Sequence, residues 1–346
     1  MLKIVFSGLS QLLDSCPVNY NCPSPPKCNM SSNPAGSKLV VLGSLNANPQ
    51  DRTMSRESIK PVQFFDGISW KNLDFFSNMG DLGMSSFGFH ANSNRLFFST
   101  GQQISVLDIN NGVVSDLQID MVQDVHEMSV NGDSIWVANT GNDEALEIDV
   151  LSLKLGNRFS LRENTSSQTS DKFHMNQIFF DSRGSPLCLV HHVRGKQFLR
   201  QVKGRILKKQ GDGGHIGLYT DEITELSLRA PHSIISSGKE YWVMNSGHQE
   251  INIYDKSWKL LEVIPTLGWG RGADISSDRK SIFIGISPIR KRYAGLIKES
   301  TTVEPIIQVF DSDLRTCSET IPIGGIEQIN NLYLLSDKVI SILERL

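Results

Sequence analysis

The chain reads as an all-β protein, a single six-bladed β-propeller whose ring is closed by N- and C-terminal strands sharing one blade. Three observations predict this. Apolar runs of four to eight residues recur from about Lys38 onward, punctuated by Gly, Asn, Asp and Ser, the texture of strands and turns. The spacing His-x9-Trp-Val-x-Asn-[Ser/Thr]-Gly occurs twice, from His126 and from His232. Six related unit starts, near residues 90, 126, 174, 232, 272 and 327, lie 36 to 58 residues apart, the period of multi-stranded repeats.

Composition narrows the class. The 346 residues carry 34 basic and 37 acidic side chains, a net charge of −3. That balance argues against a nucleic-acid binder, which needs a clustered basic surface. No apolar run reaches the roughly 18 residues of a membrane-spanning helix. Ser7, Gly8, Ser10 and Gln11 interrupt the mildly apolar start, and no clear cleavage site follows, so no secretory leader is expected. Five cysteines, an odd and sparse count, fit a reducing, cytoplasmic setting.

In chain order, residues 1–37 form an arm. It holds Cys16, Cys22 and Cys28 at six-residue steps among Pro17, Pro23, Pro25 and Pro26. Metal knots favour tighter Cys-x-x-Cys pairs, so an irregular Pro-rich arm is expected. Residues 38–346 form the propeller. Its first stretch, to about Trp70, supplies outer strands for the last unit, which reaches Leu346 with only about two. The ends then share a blade, which removes two exposed sheet edges. The units at His126 and His232 each run strand, turn, strand, turn, strand, ending in Asp149 and Asp255. Looser copies start at His90, His174, Arg271 and Gly325. Insertions fall at Asn164 to Asp171 and at Val193 to Gly214, the second read as an extended hairpin.

The ordered landmarks resemble the DUF4915 group of bacterial proteins of unknown function. They are Asp124-Val125-His126, Asn139-Thr140, His174-Met175-Asn176, Gly213-Gly214, Pro231-His232-Ser233, Trp242, Ser246-Gly247, Arg271-Gly272, Gly285-Ile286-Ser287 with Arg290, and Gly325 to Ile329. They cover roughly residues 85 to 335. The segment after Asn139-Thr140 is shorter and more polar than the group's pattern. The group is similar to six-bladed propellers of the strictosidine-synthase-like and gluconolactonase-like kinds. The resemblance implies the fold and brings no established activity.

Inner strands line a propeller's channel, so equivalent positions face one another. Those positions carry His90, His126, His174, His232, Arg271 and Glu327. Three imidazoles, His126, His174 and His232, are candidate ligands for a divalent metal, zinc or iron, whose bound water would be acidified. A metal-free ligand channel and plain packing are the other readings of the same ring. Asp124, two residues before His126, shares its strand face and is placed to orient it or act as base, and Asn176 bears the same relation to His174. Arg271 suits a carboxylate or phosphate. Glu327 suits general acid or base work if desolvated. His90 and Asn176 join Arg271 as substrate-binding candidates.

Successive strand residues point to opposite faces, so His191 and His192 are not expected to share an ion. His215 and His248 sit by glycines and read as loop residues. Trp136 and Trp242 read as packing between blades. Arg290-Lys291-Arg292 reads as a solvated loop. The expected function is binding of a small polar or anionic ligand, with lyase or hydrolase chemistry. The alternative is a non-catalytic propeller that meets a protein partner through its rim loops.

Overall fold

The computed structural model describes residues 36–162, 171–196, 211–289 and 304–346. The three arm cysteines, the Asn164 to Ser170 loop, most of the expected 193–214 hairpin and the Arg290 cluster lie outside them.

Six four-stranded antiparallel sheets form the blades of a six-bladed propeller. In chain order, β1 (Ser37–Ser44), β2 (Val62–Phe65) and β3 (Trp70–Asn72) belong to blade 1. Blade 2 is β4 (Ser86–His90), β5 (Arg95–Ser99), β6 (Ile104–Asp108) and β7 (Val113–Asp116). Blade 3 is β8 (Val125–Asn131), β9 (Ser134–Asn139), β10 (Glu144–Asp149) and β11 (Leu155–Ser160). Blade 4 is β12 (Met175–Phe180), β13 (Pro186–Val190), β14 (Gly213–Gly217) and β15 (Ile223–Leu228). Blade 5 is β16 (Pro231–Ser236), β17 (Glu240–Asn245), β18 (Glu250–Asp255) and β19 (Leu260–Pro265). Blade 6 is β20 (Trp269–Ile275), β21 (Ser281–Ser287), β22 (Ile306–Asp311) and β23 (Thr316–Pro322). The chain then returns as β24 (Gln328–Ser336), the inner strand of blade 1, paired with β1 from Ser44↔Gln328 to Ser37↔Ser336.

The ends therefore share a blade, but in a three-plus-one split. The apolar runs around Ile329 and Leu332 to Leu335 are one strand broken by a bulge, not two. The helix α1 (Asp337–Leu343) follows, capped by Ser336. Its Val339, Ile340 and Leu343 sink into the core between blades 1 and 2.

The cores lie between blades, one per junction. Val40 and Leu42 pack toward blade 2 against Phe87 and Phe98, while Leu39 and Val41 pack toward blade 6 against Phe283 and Ile307. Alternate residues of one strand thus serve two junctions. Both faces are buried, which is why the middle strands read as continuous apolar runs. Trp136 packs between blades 3 and 4 and Trp242 between blades 5 and 6. The outermost strands β7, β11 and β19 are largely exposed.

The inner strands touch in the cyclic order β24, β4, β8, β12, β16, β20. Their channel-facing edges have no sheet partner, and a side chain bridges every junction. Phe87 N donates to Tyr333 Oη (3.0 Å), Met128 N to Ser86 Oγ (2.7 Å) and Ser129 Oγ to Ile178 O (2.5 Å). Ile234 N donates to Gln177 Oε1 (2.6 Å), Gly272 N to Ser233 Oγ (2.9 Å) and Leu334 N to Asp274 Oδ2 (2.7 Å). The circle is complete.

Five inner strands also carry a β-bulge near their starts, at residues 126–127, 176, 232–233, 271–272 and 330; only β4 pairs without one. A bulge turns side chains away from strict alternation. Gly272 is required at one of them. Its φ is +74°, and a Cβ there would lie 2.5 Å from the Asn331 Cα.

Tyr333→Phe removes one bridge and leaves the buried Phe87 N–H unpaired. It should cost about 1–3 kcal/mol of stability by urea denaturation, with β-rich circular dichroism retained. An unchanged midpoint would show that this bridge does not hold the ring.

Candidate functional site

Every inner strand starts at the same face. The four longest connections, 45–61, 161–174, 191–212 and 288–305, leave from that face, whereas the turns on the other face span two to five residues. Function on propellers gathers where loops are long and the scaffold rigid.

At this mouth four imidazoles from three consecutive blades touch in sequence. Ring centroids are 5.0 Å apart for His126 and His174, 4.1 Å for His174 and His191, and 5.2 Å for His191 and His232. Trp269 of β20 continues the row, 5.5 Å from His232. Three of the residues that lead into these inner strands, Asp124, His174 and Ala230, have φ of +50°, +53° and +46°. Left-handed backbone at non-glycine residues is uncommon and concentrates at functional sites.

Three of the four rings are fixed by polar partners. His126 Nδ1 meets Asn176 Oδ1 at 2.6 Å, and its Nε2 lies 3.4 Å from Asp124 Oδ2. Asn176 therefore serves the histidine of the preceding blade, not His174, and its amide nitrogen donates to the Pro231 carbonyl. His174 Nδ1 meets Asp171 Oδ2 at 2.7 Å, and Lys196 Nζ shares that oxygen at 2.8 Å. The buried carboxylate of Asp143 accepts from the backbone N–H groups of Lys172, Phe173 and His174, which sets the entry into β12. His232 Nδ1 meets Ala230 O at 3.0 Å and Ser246 Oγ at 3.1 Å. His191 Nε2 is buried and meets no hydrogen-bond partner among the described residues.

Burial holds His174 below its ordinary value and His191 and His232 well below it; the Arg271 charge adds to the effect on His232. These three imidazoles are neutral at pH 7. Glu127 of β8 stands close enough to Asn331 of β24 and Ser233 of β16 for both to favour its ionised form. Neither strand neighbours β8, so Glu127 reaches across the channel. Burial pushes its carboxyl up to about 8, assisted by the charge of Asp274 and opposed by that of Arg271. Burial also raises Asp274, to about 6. Asp124 is held far down, first by His126, with His174 and Arg271 contributing. Arg271 thus stands within electrostatic reach of Asp124, Glu127 and His232.

The sequence-derived positions divide accordingly. Asp124, His126, His174, Asn176, His232 and Arg271 come together. His90 does not: it ends β4 at the opposite face, with Nδ1 2.8 Å from Ser93 Oγ and Nε2 3.3 Å from Asp133 Oδ1. The unit start near 90 is out of phase, because that inner strand begins at Ser86. Glu327 faces the 45–61 connection. Its carboxylate accepts from Asn46 N (2.6 Å), Met54 N (2.8 Å), Thr53 Oγ1 (3.0 Å) and Thr53 N. Burial raises its pKa, but these bonds outweigh burial and the net shift is downward. Glu327 anchors a loop there and is not placed to trade protons with the histidines.

His215 lies within β14, buried against Trp258 at 4.2 Å, not in a loop; His248 lies in the short turn Ser246–His248. Burial lifts the Cys188 thiol to about 12, which leaves it inert. A cavity of about 260 Å³ lies at the far ends of β8, β12 and β16 between Ser129, Gln177, Phe179 and Tyr241. The ring of bridges already uses polar groups of its Ser129 and Gln177.

The sequence does not point to Glu127, and strand alternation sets His191 aside, yet both stand in the cluster. His191 follows β13 as Thr140 follows β9 and Ser246 follows β17. Thr140 and Ser246 hydroxyls both bond the next blade's inner strand, at Met175 O and Gly270 O, so the repeat itself marks that position as a cross-blade contact.

Among the described residues, no three His, Cys, Asp or Glu side chains are arranged to hold a metal ion. Both His126 nitrogens already face acceptor oxygens, so the set His126, His174 and His232 does not present three free lone pairs. Among the described residues no helix is long and apolar enough to cross a membrane.

No protein-family model matches the chain, and no curated protein matches it. Solved structures do. A protein of unknown function from Bacteroides caccae matches with a TM-score of 0.55 at 12% identity, covering 87% of this chain and 99% of its own. A chain of a nidogen/laminin complex gives 0.54 at 8%, covering 86% and 98%. A protein from Lactobacillus plantarum gives 0.51 at 10%, covering 87% and 100%. At these identities the likeness is one of fold, and it agrees with the six-bladed propeller.

Stability should fall on both sides of neutrality. Unfolded histidines take up protons below about 6.5 that the buried rings refuse, so stability is lost as pH falls below that value. Glu127 acts oppositely: from its ordinary 4.5 up to about 8 the folded chain keeps a proton that the unfolded chain has released, so stability falls as pH rises. Urea midpoints of Glu127→Gln should therefore lose the decline between about pH 6 and 8 and keep the acid-side loss. Parallel wild-type and variant profiles would contradict this placement of Glu127.

Proposed function

We propose that the mouth of the channel binds a small anionic molecule and performs acid–base chemistry on it, of lyase or hydrolase type. The observation that carries this reading is the unbroken row of His126, His174, His191 and His232 beside Arg271, on the face with the long connections. Neutral imidazoles hold a ligand by hydrogen bonds without competing for its countercharge. Arg271 supplies the charge and a planar fork for a carboxylate or phosphate. Asp124 and Glu127 flank His126 with pKa values pushed apart, one carboxyl ionised and the other protonated at pH 7. Such a pair supplies a base and an acid to one substrate.

A divalent metal, zinc or iron, is the second reading. The Nδ1 contacts of His174 and His232 with Asp171 and Ala230 are those that commonly orient a ligating Nε2. Membership of the DUF4915 group and a cytoplasmic setting belong to the same proposal; they rest on the ordered landmarks and on cysteine usage.

Calorimetric titration at pH 7 with phosphate, acetate, propanoate and succinate tests the main reading. At least one should bind saturably to wild type, and Arg271→Met should weaken it about tenfold or more with circular dichroism unchanged. Elemental analysis after dialysis against zinc or ferrous iron tests the second. One metal per chain, lost in a His174→Phe/His232→Phe variant, would replace the anion reading. Neither anion nor metal binding would move function to a protein partner on the rim connections.

A further inference from the structure

We propose that the cavity at the far ends of β8, β12 and β16 is a second binding site, separate from the histidine row. It takes a small arylalkyl carboxylate, with the ring against the aromatic wall and the carboxylate at Ser236, Lys256 and Arg279.

The cavity measures about 260 Å³. One of about 150 Å³ already holds benzene, so there is room for one ring and a short acid tail. Phe179, Phe180, Ile234 and Tyr241 form its apolar wall. The wall is braced from behind: Trp258 stacks on Tyr241 at 4.4 Å and meets Phe179 at 5.8 Å. A preformed apolar wall with a few placed polar groups is the usual build of a small-ligand site.

The polar groups gather at Ser236. Its Oγ accepts from Lys256 Nζ (2.7 Å) and from Gly238 N (3.3 Å). A hydroxyl has two lone pairs and one hydrogen, so both acceptor positions are used. The hydrogen meets no acceptor among the described residues and is left to donate to an occupant of the cavity. Lys256 Nζ also lies 3.8 Å from the Tyr241 ring centroid, and Arg279 Nη1 donates to Ser236 O at 3.3 Å. Among the described residues neither cation is ion-paired. Glu240, whose charge reaches Lys256, is held by Arg315 at 2.6 Å, and Asp181, whose charge reaches Tyr241, by Arg183 at 3.0 Å. The framing turns, 181–185, 237–239, 256–259 and 276–280, all lie within the described residues. A hydroxyl donor and two cations beside an aromatic wall match an acceptor of negative charge on an apolar body. A neutral aromatic leaves the cations unanswered, and a bare carboxylate leaves the wall uncovered.

Amide-resolved titration of the ¹⁵N-labelled full chain at pH 7 tests this, read at Ser236, Gly238 and Tyr241. The probes are phenylacetate, 2-phenylethanol and acetate. Phenylacetate should shift these amides saturably, with an affinity about tenfold or more above either companion. Lys256 and Arg279 are exposed, so a Lys256→Met/Arg279→Met variant should keep its circular dichroism and lose the advantage of the acid over the alcohol. Arg271→Met, at the histidine mouth, should leave the affinity read at these amides unchanged. Equal affinity for acid and alcohol overturns the carboxylate assignment. No shift at these amides overturns the site. An affinity for phenylacetate that survives in the double variant and falls in Arg271→Met places the acid at the histidine mouth and also overturns it.

Discussion

The unpaired inner edge of each blade is the constraint on which the rest of the structure depends. A blade pairs its strands outward from the axis and leaves one row of backbone groups facing the channel. Closure is achieved by β24 returning to β1, but closure alone does not satisfy those inner edges. Side chains do so, one at every junction, from Ser86 and Ser129 through Gln177, Ser233 and Asp274 to Tyr333. An edge held by side chains tolerates irregularity, and five of the six inner strands are bulged. The bulges turn His126, Glu127, Asn176, His232 and Arg271 away from simple alternation. The means of closing the ring and the means of assembling the site are the same feature.

The blade count and the shared terminal blade were legible because both depend on local pattern. Inter-blade cores bury both faces of the middle strands, so each announces itself as an apolar run. The two exact repeats, at His126 and His232, fixed the phase of blades 3 and 5 and so located two of the four imidazoles. His90 departs from the pattern because it ends β4 where the repeat would have it begin, so the run Leu96 to Gly101 that follows it does not fix the phase of blade 2. Glu127 was hidden by the alternation rule, which sends it to the face opposite His126; the bulge cancels that rule. His191 was dismissed by the same rule. Its contacts with His174 and His232 depend on how neighbouring blades pack, which no local window contains.

Burial gives the cluster its chemical character. Water would protonate an isolated imidazole near neutrality and leave a carboxyl ionised. Inside the channel the order reverses: His174, His191 and His232 are neutral, and Glu127 holds its proton. Fixed partners on Nδ1 then decide which ring nitrogen of His174 and of His232 carries hydrogen. The scaffold resembles several propellers of unrelated description, so the fold does not choose the chemistry. The choice lies in these few side chains and their protonation.

The most direct test of this account is the tautomeric state of the imidazoles. Long-range proton–nitrogen correlation spectra of uniformly ¹⁵N-labelled protein at pH 7, assigned by single His→Phe variants, report it ring by ring. The account requires His174 and His232 to be neutral with hydrogen on Nδ1 and an unprotonated Nε2. Imidazolium signals for these rings, or hydrogen on Nε2, would contradict it.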